Sequence, residues 1–217
     1  MAFSGSPRLL KGGLVLVDPA SGAVLRIITL QYNADALQRS LQIMGVGGEG
    51  DRSEALRLKG PPVETIKLEA ELDATDQLEF PGDNRDAVAL GLHPQLAALE
   101  AMVYPGAASL VENDALARAG TIEIVPMETA LTLFVWSAQR ILPVRLTELG
   151  VTEEAFDPAL NPIRAKVSLG MRVLSVDDLG FAHKGGSLFM AYLRAKEQLV
   201  SKAPAAALSN LGIGAIP

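Results

Sequence analysis

Cysteine is absent from the 217 residues of this chain. The absence excludes disulfide frameworks, thiol nucleophiles and cysteine-ligated zinc sites, and it fits a protein made in a reducing compartment. Aromatic residues are also few, at 5% of the chain, whereas apolar residues make up 49%. We therefore predict a core built mainly from Leu, Val, Ile and Ala.

Long apolar runs and basic clusters are lacking too. No apolar stretch approaches the roughly 20 residues that a membrane-spanning helix needs, and the start, MAFSGSPRLLKGGLVLVDP, lacks the continuous apolar core of a signal peptide. We expect synthesis in the cytosol and no membrane insertion. The 25 Asp and Glu residues outnumber the 19 Lys and Arg residues, so the net charge is −6. Because phosphate contacts supply most of the affinity for nucleic acids, we do not expect this chain to bind them.

Two segments show the strict alternation that is typical of amphipathic strands, residues 61–74 and 163–176. Their polar positions are Lys67, Glu69, Glu71 and Asp73 in the first segment, and Arg164, Lys166, Ser168 and Arg172 in the second. One row is mostly acidic and the other is basic, so pairing of the two strands is favoured. Such polar faces occur on isolated soluble domains, and they also fit a sheet that lines a water-filled bore in a ring.

Shorter patterns predict the remaining elements. A hairpin is expected at 14–31 around DPASG, further strands at 121–125, 131–136 and 141–151, and a turn at 156–162. Pro143 favours an edge or bulge position. Residues 36–43 fit either a strand or a turn of helix.

Helices are predicted at three places. Apolar residues recur at helical spacing from Val88 to Val103, and Pro94 predicts either a kink or the start of a second helix there. A further helical piece is expected within 107–119, and a last helix from Leu188 to Val200 with Ser187 as its cap.

The stretch LEFPGDNRDAVALGLHP, residues 78–94, gathers Glu79, Asp83, Asp86 and His93. These side chains could supply metal ligands or an acid–base pair, but no HExxH or calcium-loop motif accompanies them. We interpret Asp83 and Asn84, and the His93-Pro94 pair, as helix-start signals.

A second acid–histidine cluster contains Asp177, Asp178 and His183. Because no nucleophile motif such as GxSxG is present, we interpret this cluster as a solvated turn. The Gly-rich GVGGEG lacks a following GK[ST] and is not a phosphate loop. No catalytic residue, metal or cofactor is predicted.

Several segments resemble the tube-type baseplate proteins of extracellular contractile injection systems, which are phage tail-like particles. LRIITLQYNADALQRSL resembles the N-terminal signature of that family, carried here by Leu30, Tyr32, Asn33, Ala34 and Leu37. KGPPVETIKLEAELDATD, GLHPQLAALEAMVYP and the long segment from LTLFVWSAQRILPVRL to LNPIRAKVSLGMRVL also resemble it. Together these segments span most of the chain between residues 14 and 176.

The resemblance implies a mainly β (α+β) fold, a small tube-protein-like β-barrel of two antiparallel sheets with flanking helices. It implies a non-enzymatic structural subunit that forms a ring, expected to be a homo-hexamer, at the tube–baseplate junction. The expected partners are the chain itself and neighbouring tube, hub, spike and baseplate proteins, in a particle that is assembled in the cytoplasm and can be released outside the cell.

We expect a single tube-like domain over residues 1–217. It would comprise a loose N-terminal arm at 1–11, a mobile loop at 45–59, a C-terminal helix at 184–200 and a tail at 203–217. Alternative functions are an inner-tube subunit, a metal-assisted hydrolase that uses Asp83, Asp86 and His93, or a monomeric carbohydrate- or protein-binding β-sandwich.

Overall fold

Seven β-strands form the body of the computed structural model, which describes residues 10–45, 57–120 and 129–216. They are β1 (Gly13–Val17), β2 (Val24–Thr29), β3 (Leu37–Gln42), β4 (Val63–Asp73), β5 (Leu131–Ser137), β6 (Arg140–Phe156) and β7 (Pro162–Val173). The hairpin at the start and the strands predicted at 61–74, 131–136, 141–151 and 163–176 are confirmed. Residues 36–43 hold a strand, not a helical turn. The strand predicted at 121–125, and most of the predicted arm and loop at 1–11 and 45–59, lie outside the described residues.

All seven strands belong to one antiparallel sheet with the order β2-β1-β5-β6-β7-β4-β3. The predicted β-rich α+β class is confirmed, but the ladders join the strands into one sheet instead of two. Within the described residues, no ladder joins the edge strands β2 and β3, so the sheet is not closed.

Strand β6 explains why one sheet can wrap around a core. Its first residues, up to Val144, pair with β5. From Val144 to Phe156 it pairs with β7, and a bulge lies between Leu146 and Glu148. The sheet therefore has two parts that meet at Val144, one formed with β5, β1 and β2 and the other with β7, β4 and β3.

Pro143 lies in β6, an interior strand of the sheet, but at a residue that pairs with β5 alone, so its position is locally the edge that the sequence predicted. Its carbonyl oxygen accepts a hydrogen bond from the Leu174 N–H at 2.9 Å, just beyond the last β6–β7 pair, Val144 with Val173. The N–H and C=O of a strand residue point to the same side. An N–H at residue 143 would therefore face the β7 side, beyond the end of the β6–β7 ladder, where it has no ladder partner. No hydrogen bond to β5 is lost.

Six α-helices and a short 3-10 helix accompany the sheet in the described ranges. They are α1 (Thr75–Leu78), α2 (Arg85–Leu90), α3 (His93–Glu100), α4 (Ala107–Arg118), α5 (Val176–Leu179), α6 (Lys184–Val200) and the 3-10 helix Leu208–Leu211. Among the described residues, no helix is both long enough and apolar enough to cross a membrane.

The break between α2 and α3 confirms the predicted interruption near Pro94 as two separate helices. Gly91 lies between them with φ of +56°, where side chains are disfavoured. A Cβ there would also lie 2.5 Å from the main-chain oxygen of Pro162. This close approach lets the Leu92 N–H donate to the same oxygen at 2.9 Å, which ties α3 to the start of β7.

Two predicted helix caps are wrong. Asn84 occupies the N-cap of α2, but its side-chain amide donates to the Phe80 carbonyl oxygen at 3.0 Å instead of accepting from the helix. Helix α6 begins at Lys184, and its cap is His183, whose Nδ1 accepts from the Gly185 N–H at 3.0 Å. Ser187 therefore lies inside the helix.

The core lies on one face of the curled sheet. It takes Leu14 from β1, Phe134 from β5, and the alternate apolar residues of β4, β6 and β7. Leu96 and Leu99 of α3, with Phe189 and Tyr192 of α6, close over this face. Trp136 packs beside Phe134 with ring centroids 5.9 Å apart, as a core aromatic.

Candidate functional site: the polar face of the sheet and its open edges

The other face of strands β3, β4, β7 and β6 is hydrophilic, and we call it the polar face. Its side chains are Gln38 of β3; Lys67, Glu69, Glu71 and Asp73 of β4; Arg164, Lys166 and Ser168 of β7; and Glu148, Thr152 and Glu154 of β6. The face arises because residues two apart in a strand lie on the same side.

The acidic and basic rows lie on neighbouring strands, as the sequence predicted. Glu71 is opposite Lys166, and Asp73 is opposite Arg164, in the β4–β7 ladder. Arg164 Nε lies 2.9 Å from Asp73 Oδ2. A one-residue slip would place these side chains on opposite faces, so the charges favour this register.

Strand β6 adds acidic partners on the other side of β7. Lys166 Nζ lies 2.9 Å from Glu154 Oε1. Lys67 Nζ lies 3.4 Å from Glu148 Oε2 at an exposed position. The basic groups of the polar face are thus neutralised within one subunit.

The titration of these groups reflects their hydrogen bonds. The Thr75 hydroxyl and main-chain N–H, together with the Arg164 guanidinium, hold the pKa of Asp73 below its ordinary value. The hydrogen bond and charge of Glu154 raise the pKa of Lys166. Asp73 and Lys166 therefore stay charged at neutral pH.

The linker between β2 and β3 crosses the end of the polar face and is fastened by two side-chain amides. Gln31 donates to the Asp73 carbonyl oxygen at 2.7 Å and accepts from the Asp73 N–H at 2.8 Å. Asn33 accepts from the Gly12 N–H at 2.9 Å and donates to the Leu10 carbonyl oxygen at 2.8 Å. The end of β2 thereby reaches the end of β4, although four strands separate them in the sheet.

A cleft of about 690 Å³ lies between this linker and the polar face. Tyr32 and Asp35 of the linker line one side, and Lys67, Glu69 and Glu148 line the other. The Tyr32 ring is half exposed there. The cleft is open and polar, and its groups are arranged for contact with water or a partner surface.

Both margins of the polar face are open in the described part of the chain. Strand β3 is the last strand of the sheet. On the other side, β5 pairs with β6 only up to Val144, so among the described residues no strand pairs with the side of β6 that faces away from β7 over residues 145–156. Open main-chain edges of this kind are templates for pairing with another chain.

Strand β2, at the far end of the sheet, is an apolar edge with no further strand beside it among the residues that the structure describes. Val24, Leu25 and Ile27 are 58%, 59% and 62% exposed. Soluble proteins usually protect such an edge with charge, proline or a covering element.

The residues that sequence analysis considered for a metal-assisted hydrolase are not brought together. Asp83, Asp86 and His93 are all exposed, on α2 and α3 or next to them. Throughout the described ranges, no three His, Asp or Glu side chains are grouped so that they could hold a metal ion. The hydrogen bonds from the side-chain amide and the main-chain N–H of Asn161 lower the pKa of Asp157, and the neighbouring His93 makes only a smaller contribution. Glu79 follows α1 as its C-cap.

The second acid–histidine cluster lies between β7 and α6, as predicted, but Asp177 and Asp178 belong to the short helix α5 instead of a turn. Asp178 and Ser175 form a capping box at the start of α5. Asp178 also lies 2.7 Å from Arg172, which ties α5 to β7. His183 caps α6.

Sequence analysis missed a buried charged cluster under α6. Glu64 of β4 is 4% exposed, and its Oε1 lies 2.6 Å from Arg39 Nη2 of β3. Lys196 of α6 reaches Glu64 Oε2 at 3.5 Å and lies 4.2 Å from the centre of the Tyr192 ring. The sequence does carry a signal for this cluster. Glu64 is two residues before Ile66, so its side chain lies on the same face of β4 as the apolar residues. The cluster fixes α6 to the edge strand β3.

Comparison with known proteins gives little further guidance. No family model matches the chain, and no curated protein matches it. The solved structures that show some similarity include the tail of an empty gene transfer agent particle, computed by helical refinement with C6 symmetry, and the virion of a native gene transfer agent particle. Each is 11% identical, over 75% of this chain and 90% of the other, with TM-scores of 0.29 and 0.28. At these values, neither similarity carries an argument about this chain.

Proposed function

We propose that this chain is a structural subunit of a contractile injection system, and that copies of it form a ring at the tube–baseplate junction, between the spike or hub and the inner tube. The observation that carries the proposal is a continuous polar face on four strands whose two margins are open. The segments that resemble tube-type baseplate proteins include β4, β6 and β7, which form most of this face.

In the proposed ring, the polar face lines a water-filled bore. The open edge of β3 in one copy pairs with the open edge of β6, residues 145–156, in the next. The four-stranded parts then continue into one wide barrel, while β2, β1 and β5 form an outer layer in each subunit. In this proposal the two parts of the single curled sheet take the places of the two antiparallel sheets that the resemblance implies. The resemblance implies six copies in the ring.

The hydrogen-bond direction in β3 identifies a variant that blocks only the outer edge. The main-chain N–H and C=O of Asp73 point away from β7, toward Gln31. Because these groups alternate in direction along a strand, the main-chain N–H and C=O of Lys67 and Thr65 point to the same side, toward β3. In the paired residues of β3, Gln38 and Ser40, the main-chain N–H and C=O point toward β4. The N–H of Leu41 consequently points out of the sheet.

Leu41→Pro therefore removes one donor from the outer edge and leaves the β3–β4 ladder intact. The matched control is Leu41→Thr, which changes the side chain and keeps the N–H. The assay is mass photometry and negative-stain electron microscopy of the full chain, purified together with tube, hub and baseplate proteins of the same particle.

We expect closed rings for the natural chain and for Leu41→Thr, and folded monomers for Leu41→Pro. Monomers of the natural chain under assembly conditions would contradict the proposal. Extended homopolymer tubes formed by this chain alone would instead assign it to the inner tube. The proposed particle assembles in the cytoplasm, and release outside the cell would follow assembly.

A further inference from the structure

An apolar groove of about 370 Å³ runs along the outer edge of β2. Five consecutive residues, 26–30, line it on the β2 side. Because successive side chains of a strand point to opposite faces, a wall of consecutive residues includes the main-chain edge of the strand itself. Leu72 of β4 and Leu99 of α3 also line the groove. The groove therefore combines a strand edge with an apolar surface next to it.

The main-chain groups of Ile27 and Thr29 face this edge. The Leu30 N–H donates to the Gly12 carbonyl oxygen at 2.9 Å, so the main chain at residue 30 faces the β1 side. Main-chain groups alternate in direction along a strand, which turns those of Ile28 toward β1 and those of Ile27 and Thr29 away from it. Within the described residues, no strand pairs with this outer side of β2. Unpaired edges of this kind accept an added strand.

Two polar groups that line the groove lack a partner. Arg26 is exposed, and no described residue forms an ion pair with it. The Oε1 atom of Gln95 is buried and accepts no hydrogen bond from the part of the chain that the structure describes. A buried acceptor without a donor is unfavourable. A strand that brings a carboxylate and a hydrogen-bond donor into the groove would satisfy both groups.

We propose that an extended segment of another protein adds to the outer edge of β2 and fills this groove. Its side chain opposite Ile28 is apolar, and its side chain opposite Arg26 is acidic. Because Ile28 and Arg26 are two residues apart and share one face of β2, a single strand can present both side chains. The main chain of the added strand pairs with Ile27 and Thr29.

The charge of the groove distinguishes this partner from a second copy of the chain. Strands β2 and β3, two of the edges that a second copy would offer, contain Arg26 and Arg39 but no acidic residue. The edge of β6 does contain acidic residues, but the proposed ring uses it. In that ring β2 belongs to the outer layer, so the added segment would reach it from outside the bore. The site itself is formed by one chain and does not require the ring.

A pair of short peptides tests the charge selection. The probe is the peptide LTVTET with blocked ends, which places its Val opposite Ile28 and its Glu opposite Arg26 when it runs antiparallel to β2. The matched control is LTVTKT. Binding of the labelled peptides to the full chain is measured by fluorescence anisotropy at protein concentrations up to about 1 mM. We expect LTVTET to bind about 5-fold more tightly than LTVTKT.

Arg26→Glu should reverse the order of the two peptides, because it exchanges the sign of the charge at the groove. Equal affinities of the two peptides for the natural chain would overturn the proposal. The same holds for an order that Arg26→Glu leaves unchanged, or for binding of neither peptide.

Ile27→Pro tests the main-chain pairing. Proline removes the N–H that faces the outer edge and leaves the hydrogen bonds between β2 and β1 in place. The matched control is Ile27→Thr, which keeps the N–H, and circular dichroism verifies that both variants are folded. We expect the affinity for LTVTET to fall at least about 5-fold in Ile27→Pro and to stay unchanged in Ile27→Thr. An unchanged affinity in a folded Ile27→Pro chain would reject strand addition.

Sedimentation velocity of the same variants examines the alternative occupant. Dimers of the natural chain that Ile27→Pro dissociates would identify a second copy on the β2 edge and would overturn the assignment to another protein. None of these measurements requires ring assembly. A negative result would therefore reject the β2 site and leave the proposed function intact.

Discussion

Glu64→Gln tests how strongly the buried charged cluster holds α6 on the sheet. The change keeps the size of the side chain and removes the only carboxylate that faces Arg39 and Lys196 in the cluster formed by the described residues. Arg39 contacts Glu64 through both Nε, at 2.7 Å, and Nη2, at 2.6 Å. Lys196 lies farther away, at 3.5 Å. The variant therefore leaves two cations close together without their counter-charge.

The expected cost follows from how well water can replace the lost carboxylate. Removing one partner of a fully buried ion pair costs about 3–5 kcal/mol. Here the side chain of Arg39 is 26% exposed and that of Lys196 is 36% exposed, so water compensates part of the loss. We expect Glu64→Gln to lower the free energy of unfolding by about 2–3 kcal/mol. Lys196→Met should cost less, because its contact is longer and more exposed.

Urea unfolding, followed by circular dichroism at neutral pH, measures this cost. The matched control is Asp114→Asn, which removes an ion pair with Arg118 whose side chains are 60% and 80% exposed. An exposed pair of this kind within a helix contributes about 0.3–0.5 kcal/mol. If Glu64→Gln were no more destabilising than Asp114→Asn, the cluster would not be what holds α6 in place.

Three further predictions concern the sheet. Gln31→Leu removes both hydrogen bonds to the main chain of Asp73 and should cost about 1–3 kcal/mol of unfolding free energy in the same urea assay; a cost near zero would mean that the linker does not fasten β2 to β4. Thr75→Val removes the hydroxyl that lowers the pKa of Asp73, so it should destabilise the protein at neutral pH but not below the folded pKa of Asp73, where that carboxyl is protonated in both states; an equal loss at both pH values would assign it to packing. Leu142→Ala, at a fully buried core position, should cost about 2–5 kcal/mol, and a smaller loss would show that the core around β6 collapses easily.

The sequence predicted those features that depend on local spacing. The alternation in β4 and β7 determines which side chains share a face, and this can be recognised without knowing the fold. The opposite charges of the two rows even predicted their pairing, because Glu71 meets Lys166 and Asp73 meets Arg164. The break at Pro94 was equally local, since proline lacks the N–H that a continuous helix needs.

Features that depend on distant parts of the chain could not be predicted in this way. Arg39 and Tyr192, which meet in the buried cluster, are 153 residues apart. Whether the strands form one sheet or two depends on where β6 changes partner, and no residue at Val144 marks that position in the sequence. The cap predictions failed because the Asn84 side chain has a competing acceptor, the Phe80 carbonyl oxygen.

The distribution of charge on the polar face also predicts which contacts would hold the proposed ring together. Arg164, Lys166 and Lys67 each have an acidic partner within the same subunit. Ion pairs between copies are therefore not required, and the proposed ring depends on main-chain hydrogen bonds at the edges of β3 and β6 and on apolar contact. Salt screens exposed charges over about 8 Å at physiological ionic strength and about 3 Å at 1 M. We therefore expect that raising the NaCl concentration from about 0.15 M to about 1 M leaves the fraction of rings, measured by mass photometry, unchanged or higher. Dissociation of the rings by salt would show instead that charges pair across the interface, and would refute edge pairing as the main source of stability.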